Sequence, residues 1–212
     1  MYLSRIKLNT RMRKTQIALS NLEIIHAVIE KSLEHSDQKK RCLWRLDTLN
    51  GFLYLMIVSD SKPDLKVISS QLGYPEDEGE SKNYDSFLDR MSVGQLWRFK
   101  ITCNPTIARQ DETGSRQRGK IYPVLKEEEQ IKWFLRQADL NGFETDSKYL
   151  KLSQKHDYKF RKGNGKPNVQ FLSLTFEGLL KIKDDKLFKD ALTNGIGREK
   201  AYGQGLLTVM KA

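Results

Sequence analysis

The stretch from Arg41 to Val58 constrains the fold more than any other part of the chain. RCLWRLD and FLYLMIV flank a short connection that contains Asn50-Gly51, the dipeptide best suited to two positive backbone angles. Two apolar, β-rich runs around such a turn read as a β-hairpin. Before it, Tyr2 to Leu8 alternates with the period of two of a half-buried strand. A basic loop from Asn9 to Lys14 follows. Ser20 and Glu23 then have capping-box spacing, which satisfies two orphan amide donors, so a helix is expected from about Asn21 to Leu33. Leu22, Ile25, Ile29 and Leu33 define its core face, and Ile24 and Val28 widen it. His26 falls at the edge of that stripe.

From Asp60 to Arg90 the pattern weakens. One short helical candidate spans about Leu65 to Leu72, and the stretch with Glu76, Asp77, Glu78 and Glu80 reads as a solvated loop. Gln95 to Cys103 restores a strand that Asn104-Pro105 ends. Strand, helix, strand, strand, weak helix, strand is the order of a split βαβ, or ferredoxin-like, unit. The second half follows suit. Lys126 to Leu140 is an amphipathic helix with Ile131, Phe134, Leu135 and Ala138 inward, closed by Asn141-Gly142. Lys148 to Lys159 and Val169 to Ile182 are strands around a Lys/Gly turn, Lys186 to Leu192 is helical, and Leu206 to Met210 is a last strand. The expected fold class is α+β, with two tandem ferredoxin-like (RRM-like) domains over residues 1–105 and 106–212.

Charge narrows the partners. A formal charge of +10 on 212 residues favours polyanions, provided the cations cluster, because each contact releases condensed counterions. They do cluster. Arg11, Arg13 and Lys14 form one group; Arg109, Arg116, Arg118 and Lys120 a second; Lys155, Lys159, Arg161, Lys162 and Lys166 a third, at the tip of the later hairpin. A glycine-rich run, GIGREKAYGQGLL from Gly195 to Leu207, lacks the spacing of a Walker loop or a dinucleotide fingerprint. Read alone, it is a tight turn between helix and strand; its glycines would also let backbone approach a partner, with Arg198 and Lys200 supplying charge.

Other classes fall away. Three histidines and two cysteines at unrelated spacings give no zinc signature, so neither a metal nor another cofactor is expected. No nucleophile elbow is present. The tryptophans and most phenylalanines lie in apolar segments and read as core, which argues against a general single-strand binder with aromatics interleaved among cations. Without a signal-peptide pattern or an apolar run long enough to span a bilayer, the chain is expected to be cytoplasmic, with no membrane partner. A lone helical histidine is more often a packing or surface residue than a catalyst, so position alone does not assign His26.

Several segments, taken in order, supply that assignment: MYLSRI (Met1 to Ile6), EIIHAVI (Glu23 to Ile29), RCLWRLD (Arg41 to Asp47), WRFKITCNP (Trp97 to Pro105), PVLKEEEQIKWF (Pro123 to Phe134), FEGLLKI (Phe176 to Ile182) and the glycine-rich run. Together they resemble the CRISPR precursor-RNA endoribonucleases of type I-E systems, the CasE family, over nearly the whole chain. The resemblance implies two ferredoxin-like domains and metal-independent cleavage on the 3′ side of the repeat stem-loop. It also implies attack by a 2′-hydroxyl, leaving a 2′,3′-cyclic phosphate and a 5′-hydroxyl.

The family histidine carries over to His26, as general base toward the 2′-hydroxyl or general acid toward the leaving 5′-oxygen. Imidazole suits either role because it exchanges protons near neutral pH. Relatives often have tyrosine one turn earlier, where this chain has Glu23, read here as completing the helix cap rather than as catalytic. The resemblance places Lys159, Arg161, Lys162 and Lys166 on the RNA stem, with Arg116, Arg118 and Lys120 extending the track. Arg11, Arg13 and Lys200 are candidates near the cleaved phosphate. The implied partners are CRISPR precursor RNA, the mature guide RNA and the other protein subunits of Cascade. The alternative is a non-catalytic RNA-binding scaffold subunit of the same fold.

Overall fold

A computed structural model describes residues 1–33, 42–109, 119–163 and 168–212. The first half runs β1 (Tyr2–Lys7), α1 (Arg13–Ser20), α2 (Leu22–Ser32), β2 (Cys42–Leu49), β3 (Phe52–Ser59), α3 (Leu65–Leu72) and β4 (Glu80–Asn83). Asn50 and Gly51 take φ of 50° and 77°, so the hairpin turn forms as their identities require, with Leu49 opposite Phe52. The sheet order β2-β3-β1-β4, antiparallel throughout, is that of a ferredoxin-like unit.

After a short α4 (Asp85–Leu88), the second half runs β5 (Leu96–Cys103), β6 (Thr106–Arg109), β7 (Lys120–Pro123), α5 (Glu127–Leu140), β8 (Phe143–Glu144), β9 (Lys151–Arg161), β10 (Asn168–Ile182), α6 (Asp185–Asn194) and β11 (Leu207–Lys211). Its sheet has the order β11-β5-β10-β8, with β9 also on β10. With β5 as first strand and β11 as last, this is the same order again. β6 and β7 form a separate ribbon.

Three expectations need correction. β5, expected to close the first domain, pairs instead with β10 and β11, so the chain changes sheets between Asn83 and Leu96, ahead of residue 105. The strand that closes the first sheet is β4, inside the acidic stretch read as a loop. It is a polar edge strand, held by its ladder to β1 and by an Arg5–Glu80 ion pair at 2.8 Å, so it carries no apolar alternation. Finally, Arg13 and Lys14 belong to a separate helix, α1, that ends at Ser20. Asn21, at φ −135°, breaks the path and caps α2, and the Ser20 hydroxyl donates back to the Gln16 carbonyl.

Two apolar clusters hold the halves, and each borrows from the other. The first gathers Leu22, Ile25, Val28 and Ile29 of α2 with Trp44, Leu55 and Ile57, and also takes Phe160, Phe171 and Tyr202 from the second half. The second centres on Phe99, Phe134, Phe143 and Phe176, with the Phe134 and Phe176 rings stacked at 4.4 Å, and takes Leu43 and Val58 from the first sheet. On α5, Phe134 and Ala138 are buried as the periodicity implies. Gln130 is buried too, because its amide donates to the Val124 and Leu125 carbonyls ahead of the helix.

A buried ionic knot also joins the halves. Arg45 of β2 donates to the Asp47 carboxylate at 2.7 to 3.2 Å, to the Lys100 and Leu206 carbonyls at 2.7 and 2.8 Å, and to the Thr208 hydroxyl at 2.7 Å. The Lys100 ammonium adds a contact to Asp47 at 3.0 Å. Burial alone would raise the Asp47 pKa; Arg45 and then Lys100 outweigh it and hold the carboxyl below its ordinary value.

Candidate nucleic-acid cleavage site

The site forms where the first turn of α2 meets the end of β9. The Asn21 side-chain oxygen accepts the Glu23 amide at 3.2 Å, and its Nδ2 donates to the Arg161 carbonyl at 3.3 Å. The Glu23 carboxylate accepts the Gly163 amide at 3.2 Å. Glu23 therefore holds the β9–β10 hairpin rather than completing a capping box. One turn further along α2 sits His26. Its Nε2 lies 3.3 Å from the Glu30 carboxylate, its Nδ1 is enclosed with no hydrogen-bond partner among the described residues, and its side chain keeps 27% exposure. Glu30 was missed in the sequence, although its i+4 spacing from His26 was the available signal.

Period-two geometry sorts the hairpin's side chains. Tyr158 and Phe160 turn inward, where Phe160 and Phe171 pack on Tyr202 at centroid distances of 5.2 and 6.0 Å. Lys159 and Arg161 take the opposite, exposed face. Lys162, at the turn, lies 5.9 Å from the Tyr202 ring. The Tyr202 phenol raises the Lys162 pKa, and the Glu23 and Glu199 carboxylates add to the shift, so Lys162 remains a cation. Helix α2 also points its positive N-terminal end at this junction. The helix that carries the imidazole is thus tied at its first turn to the hairpin end that carries Arg161 and Lys162. Proton transfer and stabilisation of an anionic phosphorus centre both need such groups.

The other expected RNA contacts are dispersed. Arg11 and Arg13 are exposed at the start of α1. Lys120 stands opposite Arg109 on the ribbon, both over Tyr122. The Lys200 ammonium donates to the Asn194 and Gly195 carbonyls at 2.7 and 2.8 Å, closing the C-terminus of α6. Arg116, Arg118 and Lys166 lie outside the described residues. Among the described residues no group of three or more His, Cys, Asp and Glu could hold a metal ion, and no helix is long and apolar enough to cross a membrane.

The glycine-rich run meets the first half of the same chain. A Cβ at Gly203 would fall 2.8 Å from the Trp44 ring, whose Nε1 donates to the Ala201 carbonyl at 3.1 Å. Close approach, not ligand binding, explains that glycine.

A family model described as CRISPR associated protein matches residues 1–211. The CRISPR-associated endoribonuclease Cse3 of Thermus thermophilus is 26% identical over 227 residues, covering 99% of each chain. The Cascade subunit CasE of Escherichia coli is 32% identical over 126 residues, 57% of this chain and 60% of that one. The solved structure of Thermus thermophilus Cse3 bound to an RNA representing a pre-cleavage complex superposes with a TM-score of 0.79 at 23% identity. The match covers 99% of this chain and 98% of the other, and shows a shared fold.

Proposed function

Because the chain belongs to the family of CRISPR-associated proteins, we propose that it is an endoribonuclease that cuts CRISPR precursor RNA on the 3′ side of the repeat stem-loop, without metal, and keeps the product. The observation that supports this reading is the junction of α2, the helix that carries His26, with the end of the β9–β10 hairpin, where Arg161 and Lys162 lie in the chain. The names of its relatives, an endoribonuclease and a Cascade subunit, support it.

In the proposed reaction the 2′-hydroxyl upstream of the scissile bond attacks the adjacent phosphorus. A P–O2′ bond forms, the P–O5′ bond breaks, and the products carry a 2′,3′-cyclic phosphate and a 5′-hydroxyl. His26 moves a proton, either from the 2′-hydroxyl or to the departing 5′-oxygen. Lys162 and Arg161 offset the charge on the crowded phosphorus. Lys159 and Arg161, on the outer hairpin face, follow the phosphates of the stem, since A-form RNA is recognised largely by shape and backbone. Retained guide RNA and the other Cascade subunits are the partners, in the cytoplasm.

The test is cleavage of labelled CRISPR repeat RNA in EDTA by the wild type and His26→Ala, with analysis of product ends. Metal-free cutting to a cyclic phosphate, lost in the variant while binding persists, supports the whole reading. Binding without cutting by the wild type would instead support an RNA-holding scaffold, and equal cutting by both proteins would remove His26 from the mechanism.

A further inference from the structure

A groove of about 550 Å³ opens between the β6–β7 ribbon, the outer face of the β9–β10 hairpin and the glycine-rich run. Its size is that of a small-ligand site. Ile121 and Leu125 give it an exposed apolar wall, while Asp157, Gln170, Arg198 and Glu199 bring polar groups. Asn104, only 4% exposed, lines it as well, and its side-chain oxygen is buried without a hydrogen-bond partner among the described residues. An orphaned acceptor of this kind calls for a specific explanation. Glu199 adds a second peculiarity: its backbone is left-handed, at φ 59° and ψ 33°. For a non-glycine residue that conformation is strained, and such residues concentrate at functional sites.

The carboxylates decide what fits. Asp157 and Glu199 form no ion pair among the described residues, although the outer hairpin face beside them carries Lys159 and Arg161. A carboxylate repels phosphate but accepts hydrogen bonds from base N–H groups. Of the four RNA bases, guanine alone presents two adjacent donors, N1–H and N2–H, on its Watson–Crick edge, matching the two oxygens of one carboxylate. Unpaired nucleotides beside a stem are the ones whose edges proteins read in RNA.

We propose that this groove binds an unpaired guanine nucleotide flanking the stem, with Glu199 accepting from the guanine edge, Ile121 and Leu125 covering the base and Arg198 meeting a phosphate. The proposal rests on the RNA-processing reading above and deepens it by assigning a base. Gln170 of the groove stands opposite Lys159 on the hairpin whose Gly163 amide is held by Glu23, so the groove and the His26 helix adjoin the same hairpin. The bound nucleotide would then lie next to the cleaved bond.

The experiment is a titration of the full chain with 5′-GMP, AMP, CMP and UMP in turn, followed by backbone amide NMR. GMP should bind at least about tenfold more tightly than the others, the discrimination that one bidentate base contact supplies. It should shift the amides of Asn104, Gln170 and Glu199, and Glu199→Gln should remove the preference. Equal binding of all four nucleotides, no GMP binding, or shifts confined to the cationic hairpin tip would overturn the assignment. The readout does not depend on cleavage. Guanine-selective binding by a chain that fails to cut repeat RNA would support the groove and defeat the nuclease, whereas cutting without base preference would do the reverse.

Discussion

At the Arg45 junction one guanidinium, only 3% exposed, spends its donors on a carboxylate, two carbonyls and a hydroxyl drawn from both halves. At the α2–hairpin junction, two hydrogen bonds of 3.2 and 3.3 Å cross at the surface, and Lys159 and Arg161 form no ion pair among the described residues. The same residue types serve opposite ends. Buried and saturated, the charges fix one half against the other; exposed and unspent, they remain available to a polyanion. The contrast can be broken from either side.

The largest effect should come from His26→Ala, which removes the proton-transfer group. Single-turnover cleavage of repeat RNA should fall about 10²- to 10⁴-fold, the usual worth of positioned acid–base catalysis. Affinity measured by filter binding should stay within about twofold, because phosphate contacts on the hairpin, not His26 on α2, position the RNA. Loss of binding in parallel would make His26 a structural residue.

Arg45→Met comes next. It leaves the Asp47 carboxylate enclosed with only Lys100, and breaking a buried pair costs about 3–5 kcal/mol. Urea unfolding measures it, and a loss below about 1 kcal/mol, the range of a surface pair, would show that the knot is dispensable. The same knot should respond to acid. Because the native Asp47 pKa is depressed, its contribution is complete above the unfolded carboxylate value of about 3.9 and is lost as pH falls through the lower native value. Unfolding midpoints of the wild type should therefore fall more steeply than those of Asp47→Asn as the pH drops below about 4. Parallel curves would assign the acid sensitivity elsewhere.

Neutralising Lys159, Arg161 and Lys162 to glutamine should weaken stem-loop binding and flatten its salt dependence by about 0.7 to 0.9 log units per lost phosphate contact. An unchanged slope would move the RNA off this face. The smallest change should follow Glu23→Ala, which deletes one exposed hydrogen bond to Gly163 worth about 1 kcal/mol. Cleavage should slow several-fold as the hairpin loosens from α2, with little change in overall unfolding; an unaltered rate would mean that the junction does not position the site.

Most elements were legible along the chain because each buries one face. The β2–β3 turn, the stripe on α2, the α5 helix and the long β9–β10 hairpin all lie where periodicity and turn chemistry put them. β4 escaped notice because a polar edge strand covers no apolar surface, and α1 because its residues alternate without a strong stripe. Within the site, the family likeness pointed to His26 and the hairpin cations. It did not reveal Glu30 beside the imidazole, the grip of Glu23 on Gly163, or the hydrogen bonds of Lys200 to the end of α6.

What the sequence determined by itself was the long amphipathic helices and apolar strands, the hairpin at Asn50-Gly51 and the clustering of positive charge, since each is written in spacing and residue type over a few turns of chain. Only the tertiary structure decided that β5 joins the second sheet, that the glycine-rich run lies against Trp44, and that α2 meets the tip of β9. Periodicity reports how much of an element is buried, but not which distant segment buries it. That choice is made when two interlocking cores close together.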